Sequence, residues 1–312
     1  MGELFSNFIV VAGQVFTLFL MMGAGFVLRK LKKLSDRALS DMTFILLFVV
    51  SPCLIVDAMQ IERNANALRS MGFAALGCVI FFAIEIVVTS FLFRKKSPDT
   101  RDVLRFGSMY PNAGFMGFPL VRAVLGESAM LSASVFLIVF QLFHWTHGVV
   151  LMGGREKASI KSALFNPGTL GFVAGLLLFA LNLRLPWPVG NAVGFVADIN
   201  TPIAMFVIGA QMADADILRL FRVRELYAST ALRLALFPAL TALALLPLGF
   251  PPLVYCAVVI LSAAPSAGVT SMFAQRFGRD TATAARLVSL ATLLSILTLP
   301  VFAALAQWIA AR

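Results

Sequence analysis

At 312 residues, 60% hydrophobic and 13% charged, with a mean hydropathy of +0.92, the chain is too apolar for a water-soluble domain. Such domains run at about 45–50% apolar and about 25% charged residues. The net charge of +10 sits in short segments between apolar runs, which is a mark of membrane topology and excludes a nucleic-acid partner. Composition therefore predicts an all-α polytopic membrane protein whose main partner is the lipid bilayer.

A hydrocarbon core of about 30 Å takes roughly 17–25 residues per helix. Ten stretches qualify: 8–28, 39–58, 70–93, 102–125, 129–152, 164–183, 189–212, 224–247, 253–275 and 285–310. The opening MGELFSNF has no basic segment of the kind that begins a signal peptide, so the first run reads as a retained span. Lys and Arg number 18 in the odd-numbered loops and 5 on the opposite side, the latter being Arg63, Arg69, Arg122, Arg184 and Arg312. By the positive-inside rule the odd loops are cytoplasmic, which puts both termini outside the cell (inner) membrane. Cys53, Cys78 and Cys256 all lie inside apolar runs without metal-ligand spacing, and read as small core residues.

Five spans per half require that a duplicated unit inserts upside down the second time. The expected repeats are residues 1–158 and 159–312. Gly25 and Gly175 stand 150 residues apart, as do Pro52 and Pro202, while Pro111 and Pro265 stand 154 apart.

The last of these pairs interrupts the fourth span, at SMYPNAGFMGFPL (residues 108–120), and the ninth, at LSAAPSAGVTSMF (residues 261–273). A broken helix leaves backbone N–H and C=O groups that hydrocarbon cannot satisfy, so such breaks persist where the freed groups face a cavity. Paired breaks in corresponding places of two halves point to a transporter's substrate site. In the fourth span Pro111 lacks a donor, Asn112 is a good cap, and Gly114 and Gly117 permit close approach. In the ninth, Pro265, Ser266, Ala267 and Gly268 form the break. A restarted half-helix presents free N–H groups and a positive dipole end, which suits a carboxylate. A packing kink at a helix crossing is the plainer reading of either break taken alone.

The run PNAGFMGFPL, SPCLI in the second span, NPGTLGFVAGLLL in the sixth, TPIAMFVIGAQM in the seventh, and SAAPSAG with LLSILTLP near the end resemble the auxin efflux carrier family, including its bacterial members. The resemblance covers nearly the whole chain. It implies ten helices in two inverted five-helix repeats, with spans 4 and 9 broken and crossing. It further implies a scaffold domain of spans 1, 2, 6 and 7, a transport domain of the rest working by elevator-type alternating access, and a homodimer. The cargo it implies is a small organic anion: indole-3-acetate in plants, dicarboxylates such as malonate or malate in bacterial relatives. By the same resemblance Asn112 matches the substrate-contacting Asn of the fourth span, Gln141 a pocket-lining polar residue of the fifth, and Asn166 the Asn-Pro opening of the sixth. Asn166 equally reads as a helix cap. The chain departs from the plant carriers in having Pro265-Ser266-Ala267 where they have Pro-Gln-Gly, and in lacking their long cytoplasmic loop.

Ionisable residues inside spans are functional candidates. Glu85 reads either as a proton- or ion-coupling site or as the partner of an arginine, and Asp198, near Pro202, either as a cation ligand or as a structural group. Arg233 either neutralises an anionic substrate or pairs with Glu85 or Asp198. His144 is a candidate proton relay, whereas His147 lies toward a membrane face. The expected coupling ions are H+ or Na+. HExxH, GxGD and Gly-x-Ser-x-Gly patterns are absent from the sequence, so it predicts neither an enzyme nor a cofactor or metal. The nearest rival is a sodium-coupled symporter of the bile-acid type, and a channel is disfavoured for want of a continuous polar pore.

Overall fold

The computed structural model describes residues 2–154, 167–214 and 223–311. The helices are α1 (Gly2–Lys30), α2 (Asp36–Ala58), α3 (Ala65–Ser90), α4 (Pro98–Met109), α5 (Ala113–Leu125), α6 (Glu127–Gly153), α7 (Pro167–Ala180), α8 (Trp187–Ala213), α9 (Arg224–Leu248), α10 (Pro252–Ala263), α11 (Val269–Arg276) and α12 (Thr281–Ala310). Among the described residues there is no strand beyond one isolated bridge.

Among the described residues, seven helices, α1, α2, α3, α6, α8, α9 and α12, are long and apolar enough to cross a membrane. The other three expected spans hold shorter apolar helices, Ala113–Leu125, Pro167–Ala180 and Pro252–Ala263. Two of these are short because prolines stop the helix inside the apolar run, after Met109 and after Ala263. The third is described only from Pro167 onward.

Local rules set the starts. The Ser35 hydroxyl accepts from Ala38 N (3.1 Å), the Asn64 amide oxygen from Ala67 N (2.8 Å) and the Asp280 carboxylate from Thr283 N (2.9 Å). Prolines 98, 167 and 252 open their helices, where a missing N–H costs nothing. The seven longest helices are strongly apolar, and Phe16, Leu243 and Leu297 on them remain 56%, 63% and 68% exposed, a surface suited to lipid and not to water.

Two close crossings organise the packing. Helix α1 lies along α8, where a Cβ on Gly209 would sit 1.9 Å from the Met22 carbonyl oxygen and one on Gly25 would sit 2.3 Å from that of Phe206. Helix α7 lies along α2, with a Cβ on Gly171 falling 2.6 Å from Pro52 Cα and one on Gly175 falling 3.3 Å from Val56 Cα. Only glycine allows backbones this near, as in small-residue membrane interfaces.

Polar contacts sort the connections to two ends of the bundle. At one end Arg29 pairs with Asp36 and Asp214, Lys96 with Glu225, and Arg279 with Asp99 (2.7 Å) and the Met152 carbonyl (2.7 Å). At the other end Arg63 donates to the Ala180 carbonyl (2.8 Å), Arg184 to that of Gln60, and Arg122 pairs with Glu127 and Asp198.

Candidate functional site

The two interruptions meet. Tyr110, restricted by the proline that follows it, is extended (φ −96°, ψ 102°), and Ala264, before Pro265, is likewise non-helical (φ −59°, ψ 146°). The groups freed by each break are satisfied by the other. Asn112 N donates to the Pro265 carbonyl (2.6 Å), Ala267 N donates to the Tyr110 carbonyl (2.9 Å), and Pro111 and Ser266 form an antiparallel bridge. The buried Ser266 hydroxyl donates to the Gly107 carbonyl (2.7 Å), so it fastens the crossing.

Beyond the bridge each helix restarts. Met116 N and Gly117 N return to the Asn112 carbonyl, and Thr270 N to that of Ala267. The amides of Ala113, Gly114 and Phe115, and those of Gly268 and Val269, form the opening turns, whose N–H groups have no carbonyl of their own helix to meet. Gly114, Phe115, Gly268 and Val269 are half-buried while the residues just before them are buried, so these openings are where the crossing becomes accessible. Asn112 heads α5 but its side chain makes no capping bond, and the residue is 7% exposed.

Helix α8 packs against the start of α5. From it, Gln211 places its amide oxygen 3.3 Å from where a Cβ on Gly268 would stand. Gln211 is a side chain at the crossing that the sequence does not single out, although it stands as the lone amide in the apolar run TPIAMFVIGAQM.

On the opposite side of the bridge, the carbonyl ends of α4 and α10 converge on Arg233. Its Nη1 donates to Glu85 Oε1 (2.7 Å) and to the carbonyls of Ser108 (3.1 Å) and Met109 (2.9 Å), and its Nη2 donates to the Ser262 carbonyl. Arg233 and Glu85 are both fully buried. Of the alternatives open for Arg233, the structure shows the pairing with Glu85. Asp198 is elsewhere, exposed and bonded to Arg122 at 2.8 Å, so the two acids are not brought together.

The fifth-span candidates line the flank. His144 is buried, stacked on Phe273 (ring centroids 4.6 Å apart), with its Nδ1 3.4 Å from the Gln141 amide oxygen and no protein partner for Nε2. Tyr110 donates to the Phe143 carbonyl (3.0 Å) and lies 3.0 Å from His147 Nδ1, tying α6 to the first break. Asn166 lies outside the described residues. Among those described, no three His, Cys, Asp or Glu side chains gather as metal ligands.

The family profile described as membrane transport protein matches this chain over residues 10–161 and 156–303. The chain belongs to that family. It is the family of the auxin efflux carriers that the six motifs resemble, and its description is that of a transporter. Among its relatives, a protein of Rhizobium meliloti (strain 1021) named "Putative malonate transporter" is 23% identical over 305 residues, spanning 92% of this chain and 93% of that one. An "Uncharacterized transporter" of Methanothermobacter thermautotrophicus (strain ATCC 29096) is 22% identical over 295 residues, spanning 92% and 96% respectively. Another from Methanocaldococcus jannaschii (strain ATCC 43067) is 24% identical over 183 residues, 54% of this chain and 58% of its own length.

Proposed function

We propose that the chain is a carrier of small organic anions, with a carboxylate bound where the helices that follow the two breaks begin. The observation that carries this is the mutual pairing of the breaks: their carbonyl ends are gathered on Arg233, and their amide ends open on half-buried Gly114 and Gly268. Amide ends carry about half a positive charge each, enough to favour an anion without a buried cation. Asn112, whose side chain makes no capping bond, adds a neutral donor at that point. The "malonate" in a relative's name makes malonate the first solute to test.

Ten crossings in two inverted repeats, 1–158 and 159–312, are supported by contacts that recur at one offset. Gly25 meets Phe206 and Gly175 meets Val56, each member of one pair standing 150 residues from its counterpart in the other. Glu85 and Arg233 stand 148 residues apart in the corresponding helices α3 and α9. The gathering of the Lys- and Arg-rich connections at one end supports a cytoplasmic placement of that end. The α1–α8 and α2–α7 crossings suit a scaffold of spans 1, 2, 6 and 7, against which the domain holding the breaks moves as an elevator, in a homodimer. For an inside-negative membrane, outward movement of an anion is downhill by about 2.3 kcal/mol per charge per 100 mV, so export needs no coupled cation.

The test is flux of radiolabelled malonate from proteoliposomes under an imposed diffusion potential, with and without sodium and a proton gradient. Efflux that follows the potential supports the proposal. Strict sodium dependence favours the bile-acid-type symporter, and no flux of any small mono- or dicarboxylate overturns the carboxylate site.

A further inference from the structure

A helix ends with about half a negative charge on carbonyls that its own amides cannot reach. Two such ends, those of α4 and α10, point together in the core of this protein. Arg233 is the group that meets them. One guanidinium takes the carbonyls of Ser108, Met109 and Ser262 and one oxygen of Glu85, which uses the planar fork of donors that arginine has and lysine lacks. The guanidinium carbon lies 5.2 Å from the ring centre of Phe81 and 5.9 Å from that of Phe237, contacts that hold the fork in place. Four helices, α3, α4, α9 and α10, are thereby joined at one point.

We infer that Arg233 is a positioning residue for anion binding: it clamps the carbonyl ends of α4 and α10 against Glu85 and so keeps the two following amide ends aimed at one place. Arg233 does not touch the solute. It acts through the Pro111–Ser266 bridge, and Glu85 serves as its counter-ion. The role rests on the carboxylate reading above for its effect on transport, but not for its effect on the crossing.

Hydrogen–deuterium exchange by mass spectrometry on the purified full chain, together with malonate uptake, tests this. Peptides covering residues 108–116 and 262–271 contain the bridging amides of Asn112 and Ala267. In Arg233→Lys, and in the charge-free double variant Glu85→Gln/Arg233→Gln, exchange in both peptides should quicken roughly tenfold, while peptides from α1 and α8 stay at the wild-type rate. Glu85→Gln alone, which leaves the three carbonyl bonds in place, should quicken it less. Malonate KM should rise roughly tenfold in Arg233→Lys with the maximal rate within about twofold, the pattern of a weakened site in a folded carrier. Wild-type exchange at both breaks in the double variant would overturn the inference, since it would mean that removing an unpaired charge is all that matters. If the wild type itself moves no malonate, the carboxylate reading fails, and the exchange measurements still decide the clamp.

Discussion

Removing the Asn112 side chain separates binding from stability. Asn112 heads α5 without capping it, and its backbone N–H, which bonds to Pro265, survives substitution by alanine. The usual loss of about 1 kcal/mol for deleting a cap therefore does not apply, and the melting temperature of Asn112→Ala should stay close to that of the wild type. On the proposed reading, what is lost is one hydrogen bond to a carboxylate, about 1.5–3 kcal/mol. At 1.4 kcal/mol per factor of ten, malonate affinity should fall roughly 10- to 100-fold. Isothermal titration on detergent-solubilised protein gives the affinity and scanning fluorimetry the stability, both on the same sample. Equal malonate affinity in the two proteins would refute the assignment of Asn112, and a large fall in melting temperature would refute the claim that its side chain is not structural.

Three further outcomes are expected. Gly209→Ala drives a methyl to within 1.9 Å of the Met22 carbonyl, so α1 and α8 must part; a loss of about 1–3 kcal/mol should lower the thermal midpoint, and an unchanged midpoint would contradict the crossing. Asp198→Asn breaks only the partly exposed pair with Arg122, worth about 0–1 kcal/mol, and should leave the pH and sodium dependence of malonate flux as in the wild type; loss of either dependence would make Asp198 a coupling site. Burial tends to raise the Asp280 carboxyl, but hydrogen bonds from Thr283 and Thr100 outweigh it and hold the group below the usual carboxylate range. A depressed group stabilises the fold above its unfolded pKa, about 3.9, and loses that contribution as pH falls through its folded value. The melting difference between wild type and Asp280→Asn should accordingly be largest near neutral pH and shrink below about pH 4; a difference independent of pH would refute this.

Much of the architecture is legible in single residues. Pro111 and Pro265 carry backbone rules that hold wherever the chain goes, so the interruptions can be read without knowing any neighbour. Gly25 and Gly175 can be read as a pair because their spacing repeats. The choice Arg233 makes among its acceptors is not legible, because Glu85 is 148 residues away and three of the four acceptors are carbonyls, which every residue carries. Nor is it legible that the Ser266 hydroxyl turns onto the Gly107 carbonyl, an acceptor 159 residues away that again belongs to the main chain. Gln211 was missed for a related reason: along an apolar helix such as α8, the residue pattern does not show which side faces the crossing.

The clasp between the breaks has a consequence for how such carriers diversify. Its rungs, Asn112 to Pro265 and Ala267 to Tyr110, are made of main-chain atoms that every amino acid except proline possesses. Replacing Ala267 therefore leaves its rung intact, and changing residue 266 removes only one hydroxyl bond. If the crossing holds the cargo as proposed, the same frame can accept a different one through substitutions at the crossing itself, with no need to rebuild the helices that meet there.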